Sequence, residues 1–205
     1  ETMETLRENY PRDVFYNLMN IIGTHDTARA LTVLGVMNED WKKSRDERAH
    51  YELPPDRLET AKRRLRLAAV IQFTMPGSPT IYYGDEAGRQ GFEDPFNRRT
   101  YPWGHEDTAL LDWFRTLGRL RAERESLQSG GITYPLAAGR VLCFARRVGD
   151  EVSLCAVNAG AESAPVDLPW AAPLAHDALS GQSFLAEGGR LHITLAPYDA
   201  LLLTE

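Results

Sequence analysis

The chain has 205 residues, of which 43% are hydrophobic and 25% charged, enough for one large domain or a domain and a half with an apolar core. Its formal net charge of -6 argues against nucleic acid and anionic membranes as partners. No apolar run approaches the roughly 18 residues of a membrane span, and the charged start ETMETLRENYPRD lacks a signal-peptide pattern. That start is typical of the interior of a longer protein, so a cytoplasmic or a secreted location stays open.

The first elements alternate between helix and strand. TMETLRENY predicts a helix that Pro11 ends, and NLMNIIG predicts a short apolar strand that ends at Gly23. ALTVLGVM predicts a short helix, and the charged stretch from Asn38 to Glu52 predicts a solvated loop or helix surface. This order is typical of a strand followed by a helix and a connecting segment.

A longer helix is expected from Arg57 to about Phe73, because its apolar residues share one face and its start resembles a capping box. MPGSP ends this helix, and TIYYG then predicts a β-branched and aromatic strand. The following 85–107 segment predicts a long aromatic loop, a length that usually indicates function rather than mere connection. An amphipathic helix is expected from Thr108 to Glu125.

The chain changes character near residue 127, where the charge density falls and short β-branched segments with Gly, Pro and Asn turns begin. Residues 128–205 predict an antiparallel β-sandwich. Cys143 and Cys155 are interpreted as small apolar core residues on neighbouring strands, and a cross-strand disulfide is the alternative.

Residues 1–127 favour an α/β fold, because strands that alternate with helices form right-handed crossovers and a parallel sheet. Two strands are too few for a stable parallel sheet. This part is therefore expected to belong to a larger domain, followed by the all-β module of residues 128–205.

Three motifs in this order, NIIGTHDTAR, MPGSPTIYYGDEAG and DPFNRRTYPW, resemble landmarks of the α-amylase family of glycoside hydrolases (family 13). The combination of YYGDE with DPxxR and a tryptophan most resembles its neopullulanase, cyclomaltodextrinase and maltogenic amylase branch. The resemblance covers roughly residues 10–127. It implies that these residues are the C-terminal part of a (β/α)8 TIM barrel, about strands 7 and 8 with their helices.

His25 and Asp26 follow the first predicted strand, and the resemblance implies that this is the active-site end of a barrel strand. It implies that Asp26 is the catalytic, transition-state-stabilising carboxylate and that His25 binds substrate. A carboxylate there can accept hydrogen bonds from sugar hydroxyls and stabilise positive charge at an anomeric carbon. The alternative for the pair is a cap on the next helix. Arg29 receives no role beyond pairing within the loop.

Asp94 and Arg98 form the second candidate pair, four residues apart in DPFNRR. The resemblance implies that both bind the sugar in the cleavage subsite, and an exposed ion pair of small energetic value is the alternative. Arg99 is adjacent and confuses the assignment. Trp103 is open to two interpretations, a stacking platform for a sugar face or an anchor that packs the loop.

Asp85 and Glu86 are adjacent carboxylates, but neighbouring side chains on an extended segment point in opposite directions. A structural role is therefore expected for them rather than shared acid–base work, and Tyr82 and Tyr83 are expected to alternate likewise. The remaining histidines lack metal-ligand spacing, so no metal site is predicted, and the basic run 62–66 is interpreted as a solvated helix face.

The function that the resemblance implies is retaining hydrolysis of α-1,4 or α-1,6 glucosidic bonds in an α-glucan or maltooligosaccharide. Such a reaction needs a nucleophile and a general acid, which the family carries on earlier barrel strands. The chain is therefore expected to be inactive alone, and to pair with the missing barrel portion or to self-associate. No cofactor is predicted; calcium in the full-length parent cannot be assigned to these residues.

Three alternatives to this function stay open. In the first alternative the parent is a transglycosylase or isomerase of the same family. In the second it is a non-catalytic relative that binds carbohydrate or another protein. In the third alternative the chain is a structural β-sandwich scaffold whose N-terminal part is incidental.

Overall fold

A computed structural model gives the structure of the protein and describes residues 2–205. Within that range the helices are α1 Thr2–Asn9, α2 Arg12–Phe15, α3 Ala30–Gly35, α4 Arg45–Ala49, α5 Pro55–Thr74, α6 Thr108–Glu123 and α7 Glu125–Ser129. The strands are β1 Met19–Ile21, β2 Ser78–Thr80, β3 Gly131–Ala138, β4 Val141–Val148, β5 Glu151–Asn158, β6 Ala164–Pro169, β7 Leu174–Asp177, β8 Ser183–Leu185, β9 Arg190–Leu195 and β10 Asp199–Thr204. Two 3₁₀ helices, Asp40–Lys42 and Phe96–Arg98, lie in the loops.

The chain divides into two compact units. The first unit, here called the sheet unit, contains residues 2–20, 73–78 and 117–205. The second, the loop unit, contains residues 21–72 and 79–116. Of the helices within residues 2–205, none is both long and apolar enough to cross a bilayer.

The sheet unit is built on antiparallel strands. Six of them form one sheet in the order β3-β4-β5-β10-β7-β8, and β6 pairs with β9 in a second sheet. Burial alternates along β9, as expected for a strand with one face toward a core. The prediction of an antiparallel β-module near the end of the chain is therefore confirmed.

The core of the sheet unit is contributed by strands of both sheets. Its buried members are Cys143, Leu154, Ala156, Val166, Leu168, Trp170, Ala175, Leu191, Ile193, Leu195, Leu201 and Leu203. Cys143 and Cys155 are both free and buried, on the neighbouring strands β4 and β5. Burial raises the pKa of Cys143 to about 11 and that of Cys155 to about 12. The interpretation of the two cysteines as core residues is confirmed.

The helices predicted from Ala30, from Arg57 and from Thr108 are confirmed, and only the start of the second, α5, is corrected. Helix α5 begins at Pro55, because the first helical position needs no backbone N–H donor. Asp56 therefore lies inside the first turn rather than at the N-cap, and the capping box predicted to begin at Asp56 is wrong. A true capping box begins α4, where Ser44 and Glu47 each accept a hydrogen bond from the other's backbone N–H.

The predicted strand TIYYG is displaced toward the N-terminus, because β2 ends at Thr80. The chain then turns: Asp85 N donates to Tyr82 O, and Arg89 N donates to Gly84 O. These local hydrogen bonds replace the ladder that an extended segment would need. Asp85 and Glu86 consequently lie in a turn, so the extended conformation predicted for them is wrong.

Candidate functional site

His25 and Asp26 lie in an exposed turn shortly after β1. The turn is closed locally, because Thr27 N donates to Thr24 O at 3.5 Å and Asp26 N donates to Thr24 Oγ1 at 3.2 Å. His25 Nε2 lies 3.3 Å from Asp26 Oδ1, and the two side chains are 65% and 73% exposed. The Asp26 carboxylate is therefore accessible to a ligand while its neighbour orients one of its oxygens.

Asp94 and Arg98 lie beside this turn. Arg98 is the last residue of the 3₁₀ helix Phe96–Arg98, and its Nε lies 3.0 Å from Asp94 Oδ1. The same Nε donates to the His25 carbonyl at 3.3 Å. The structure thus brings all four predicted site residues into one cluster, with Arg98 as the link between the two pairs.

Asn97 binds the backbone of the turn of residues 24–27, which carries Asp26. Its side chain is fully buried, and its Nδ2 donates to the carbonyls of His25 and Thr27, each at 2.7 Å. These carbonyls belong to the residues on either side of Asp26. The sequence offered no signal for this contact, because an asparagine in a loop is ordinary and its partners lie about 70 residues away.

Arg29, for which the sequence predicted nothing beyond pairing within the loop, is also buried. Its Nε donates to Asn97 O at 2.7 Å and its Nη1 to Tyr83 O at 2.5 Å. Its guanidinium carbon lies 4.2 and 4.7 Å from the ring centroids of Tyr82 and Tyr83. Arg29 therefore ties together the turn after β1, the turn after β2 and the loop that carries Arg98.

Asp85 is the carboxylate that pairs with Arg29, at 3.3 Å between Oδ1 and Nη1. Burial raises the pKa of Asp85 to about 6, against the opposing effect of the Arg29 charge. A Cβ at Gly23 would lie 2.1 Å from Asp85 Oδ2, so only glycine fits beside this carboxylate. Glu86 has a separate role, because its Oε2 accepts from Gly84 N at 2.8 Å. The Asp85 side chain is 1% exposed and paired with Arg29, which favours the structural role expected for it.

Trp103 lies further along the same loop. Its ring lies tilted against that of Tyr101 at an interplanar angle of 50°, with 4.5 Å between the ring centroids, yet Trp103 is 79% exposed. A residue that anchored the loop by packing would be buried, so the exposure favours the interpretation as a platform for a ligand.

A metal centre finds little support in residues 2–205, since no group of three or more His, Cys, Asp or Glu side chains there is placed to hold an ion. The chemistry of the cluster is that of carboxylates, an imidazole and a guanidinium. Such groups bind hydroxyls and stabilise positive charge.

Comparison with known proteins shows which proteins the chain resembles. Residues 136–202 match the family described as "Maltogenic Amylase, C-terminal domain". The chain is 36% identical over 218 residues to an amylopullulanase of Thermoanaerobacter thermohydrosulfuricus, a match that covers 99% of the chain. The predicted resemblance to the α-amylase family is confirmed. A cyclomaltodextrinase of Geobacillus thermopakistaniensis is 30% identical over 204 residues and 95% of the chain.

A solved α-amylase-family structure supports the same relationship at the level of fold. The α-amylase of Geobacillus thermoleovorans, solved with acarbose, superposes with a TM-score of 0.80 over 99% of the chain at 24% identity. The sheets of the present chain resemble the C-terminal domain of α-amylase-family enzymes. The chain spans 14% of the amylopullulanase, 30% of the cyclomaltodextrinase and 41% of the α-amylase.

Proposed function

We propose that this chain is the C-terminal part of a retaining glycoside hydrolase that acts on α-1,4 or α-1,6 glucosidic bonds of an α-glucan. In this proposal β1 and β2, with the helices that follow them, are the seventh and eighth strand–helix units of a TIM barrel. The observation that carries the proposal is the cluster of Asp26, His25, Asp94 and Arg98. It is supported by relatives named amylopullulanase and cyclomaltodextrinase.

Asp26 is the transition-state stabiliser in this proposal. Its exposed carboxylate accepts hydrogen bonds from sugar hydroxyls and faces the positive charge that develops at the anomeric carbon. At a separation of about 4 Å and an effective dielectric constant of about 20, such a charge pair is worth about 4 kcal/mol. This interaction is strongest at the transition state, so it raises kcat rather than merely tightening binding.

His25, Asp94 and Arg98 bind and orient the sugar. The imidazole and the guanidinium donate to hydroxyl oxygens, whereas the Asp94 carboxylate accepts from hydroxyl protons. Arg98 contacts both Asp94 and the His25 carbonyl. One bound ring can therefore be held from both segments at once, with its anomeric carbon presented to Asp26.

The nucleophile and general acid are proposed to come from residues outside this chain. Retaining hydrolysis needs two carboxyl groups about 5–5.5 Å apart, and within residues 2–205 Asp85 is buried against Arg29 rather than paired with a second open carboxylate. The chain alone is therefore proposed to be inactive. Ile21, Ile22 and Ile81, on or beside β1 and β2, are exposed, and the rest of the barrel is the proposed cover for them.

The test is Asp26→Asn in the full-length protein that contains this chain, measured as kcat and KM on maltose, starch, pullulan and cyclodextrin. Because the neutral amide cannot stabilise a positive charge, kcat is expected to fall by about 10³-fold or more. Asp112→Asn is the matched control, since Asp112 is an exposed carboxylate on α6. Turnover equal in Asp26→Asn and Asp112→Asn would contradict the assignment.

The products separate the proposal from its alternatives. Hydrolysis releases a reducing sugar with retained α configuration, whereas a transglycosylase or isomerase transfers the glycosyl group to another sugar. A full-length protein that binds these glucans without converting any of them would be a non-catalytic relative.

A further inference from the structure

We propose that Asn97 is a positioning residue for Asp26: its amide fixes the peptide carbonyls on both sides of the catalytic carboxylate. This inference rests on the proposed function for its kinetic consequence. Its geometric part, that Asn97 fixes the turn of residues 24–27, stands on the contacts alone.

The contacts define the direction of the Asn97 amide. Both partners of Nδ2, the carbonyls of His25 and Thr27, can only accept hydrogen bonds. The nitrogen must therefore face the turn and Oδ1 must face away. Two bonds of 2.7 Å from one nitrogen hold the peptide units that follow His25 and Thr27, so the backbone is fixed on both sides of the 26–27 peptide.

The rest of the turn offers little to replace these bonds. Its own contacts, from Thr27 N and Thr27 Oγ1 to Thr24 O, from Asp26 N to Thr24 Oγ1 and from Thr24 N to Thr27 Oγ1, are exposed and 3.2–3.5 Å long. Arg98 Nε adds one exposed bond of 3.3 Å to the His25 carbonyl. The Asp26 side chain is itself exposed and contacts the equally exposed His25. Long, solvated contacts of this kind specify position weakly, so the two shorter, part-buried bonds from the buried Asn97 amide dominate.

Asn97 is in turn held rigidly. Its side chain is fully buried, and its carbonyl accepts from Arg29 Nε at 2.7 Å. Arg29 is fixed by Tyr83 O and by the Asp85 carboxylate. The position of Asp26 is thus set, through Asn97, by the buried Arg29 and its partners rather than by the exposed loop in which Asp26 lies. Because a misplacement of about 1 Å can cost about 100-fold in rate, this support has a kinetic consequence.

Asn97→Asp is the variant that isolates the donor. It is isosteric, but it replaces two N–H donors with an oxygen that faces two carbonyl oxygens. In the full-length protein kcat is expected to fall about 100-fold, with a much smaller change in KM. Asn38→Asp is the matched control, because Asn38 is exposed in the same unit, and its kcat is expected to equal that of the wild type.

A double-mutant cycle with Asp26→Asn separates positioning from a general loss of stability. A positioning residue acts through Asp26, so Asn97→Asp is expected to cost little in the Asp26→Asn background. An undiminished cost there, or an unchanged kcat in the single variant, would overturn the proposal. If thermal melting shows that Asn97→Asp is unfolded, Asn97→Ala takes its place in the cycle, since it removes the donors without adding charge.

A crystal structure of the variant distinguishes failure of this inference from failure of the proposed function. If the wild-type full-length protein converts no α-glucan, the proposed function is wrong, and the structure decides the inference alone. Displacement of the turn of residues 24–27 relative to Arg29 supports Asn97 as its positioning residue. An unmoved turn overturns it.

Discussion

Each unit contains a buried arginine, and the two guanidinium charges are stabilised by different partners. Arg29 in the loop unit is neutralised by the Asp85 carboxylate and stacks on two tyrosine rings. Arg146 in the sheet unit is equally buried, but it donates to the carbonyls of Thr74 and Gly130. Burial lowers the pKa of Arg146 to about 10, which leaves it charged at neutral pH.

The difference follows from what surrounds each guanidinium. The sheet unit is held by an apolar core, and Arg146 binds the carbonyls at the C-terminal ends of α5 and α7. The loop unit around the candidate site has few regular elements, and buried charge and hydrogen bonds hold its turns together. A network of this kind orders loops well but is sensitive to the loss of any member.

The largest effect is expected for Arg29→Met. This change leaves the Asp85 carboxylate buried without its cation and removes the donors to Tyr83 O and Asn97 O. The free energy of unfolding is expected to fall by about 3–5 kcal/mol, measured by urea denaturation. The double variant with Asp85→Asn should recover part of this loss, because the unpaired charge is gone. A smaller loss of unfolding free energy in Arg29→Met than in Arg146→Met would contradict this difference between the two arginines.

A smaller effect is expected in the pH dependence contributed by Asp85. Its pKa is raised to about 6 in the folded protein from an unfolded value of 3.8. The folded state therefore binds the proton more tightly, and this contribution to stability is present below about pH 4 and is lost as the pH rises to about 6. The loss is on the order of 3 kcal/mol.

The measurement for this prediction is the free energy of unfolding of Asp85→Asn relative to the wild type between pH 4 and pH 7. The asparagine does not titrate, so the free energy of unfolding of the variant should rise relative to that of the wild type as the pH rises. A constant difference across this range would show that Asp85 is ionised throughout.

The smallest effect is expected for Arg146→Met. The variant loses donors to two carbonyls but leaves no buried carboxylate unpaired, so the free energy of unfolding should fall by about 2 kcal/mol. Urea denaturation of this variant and of Arg29→Met under one set of conditions makes the comparison direct. An equal loss in both would mean that the Asp85 charge adds nothing to the requirement for Arg29.

The regular elements were predictable because their periodicity is local. Helix α6 begins at Thr108 as its apolar spacing predicts, and the alternation in the sheet unit predicts antiparallel strands. The strand TIYYG was placed wrongly, because β-propensity does not reveal that Gly84 and its neighbours form a turn. Local pattern thus specifies elements better than it specifies where a loop begins.

The members of the candidate site were predictable only where they are exposed and belong to motifs. His25, Asp26, Asp94 and Arg98 were chosen from their motifs, and the structure brings them together. Their buried support was not predictable, since Arg29 and Asn97 lie 68 residues apart in the chain. No periodicity or spacing connects such residues, and only the folded backbone does.

The most direct test of the central claim is covalent trapping of the full-length protein by a fluorinated glycosyl donor, followed by peptide mapping. The central claim is that this chain supplies the stabilising Asp26 to a retaining hydrolase whose nucleophile lies elsewhere. We expect one glycosyl adduct on a carboxylate outside these 205 residues, formed much more slowly in Asp26→Asn. An adduct on a residue of this chain, or trapping at the wild-type rate in Asp26→Asn, would contradict it.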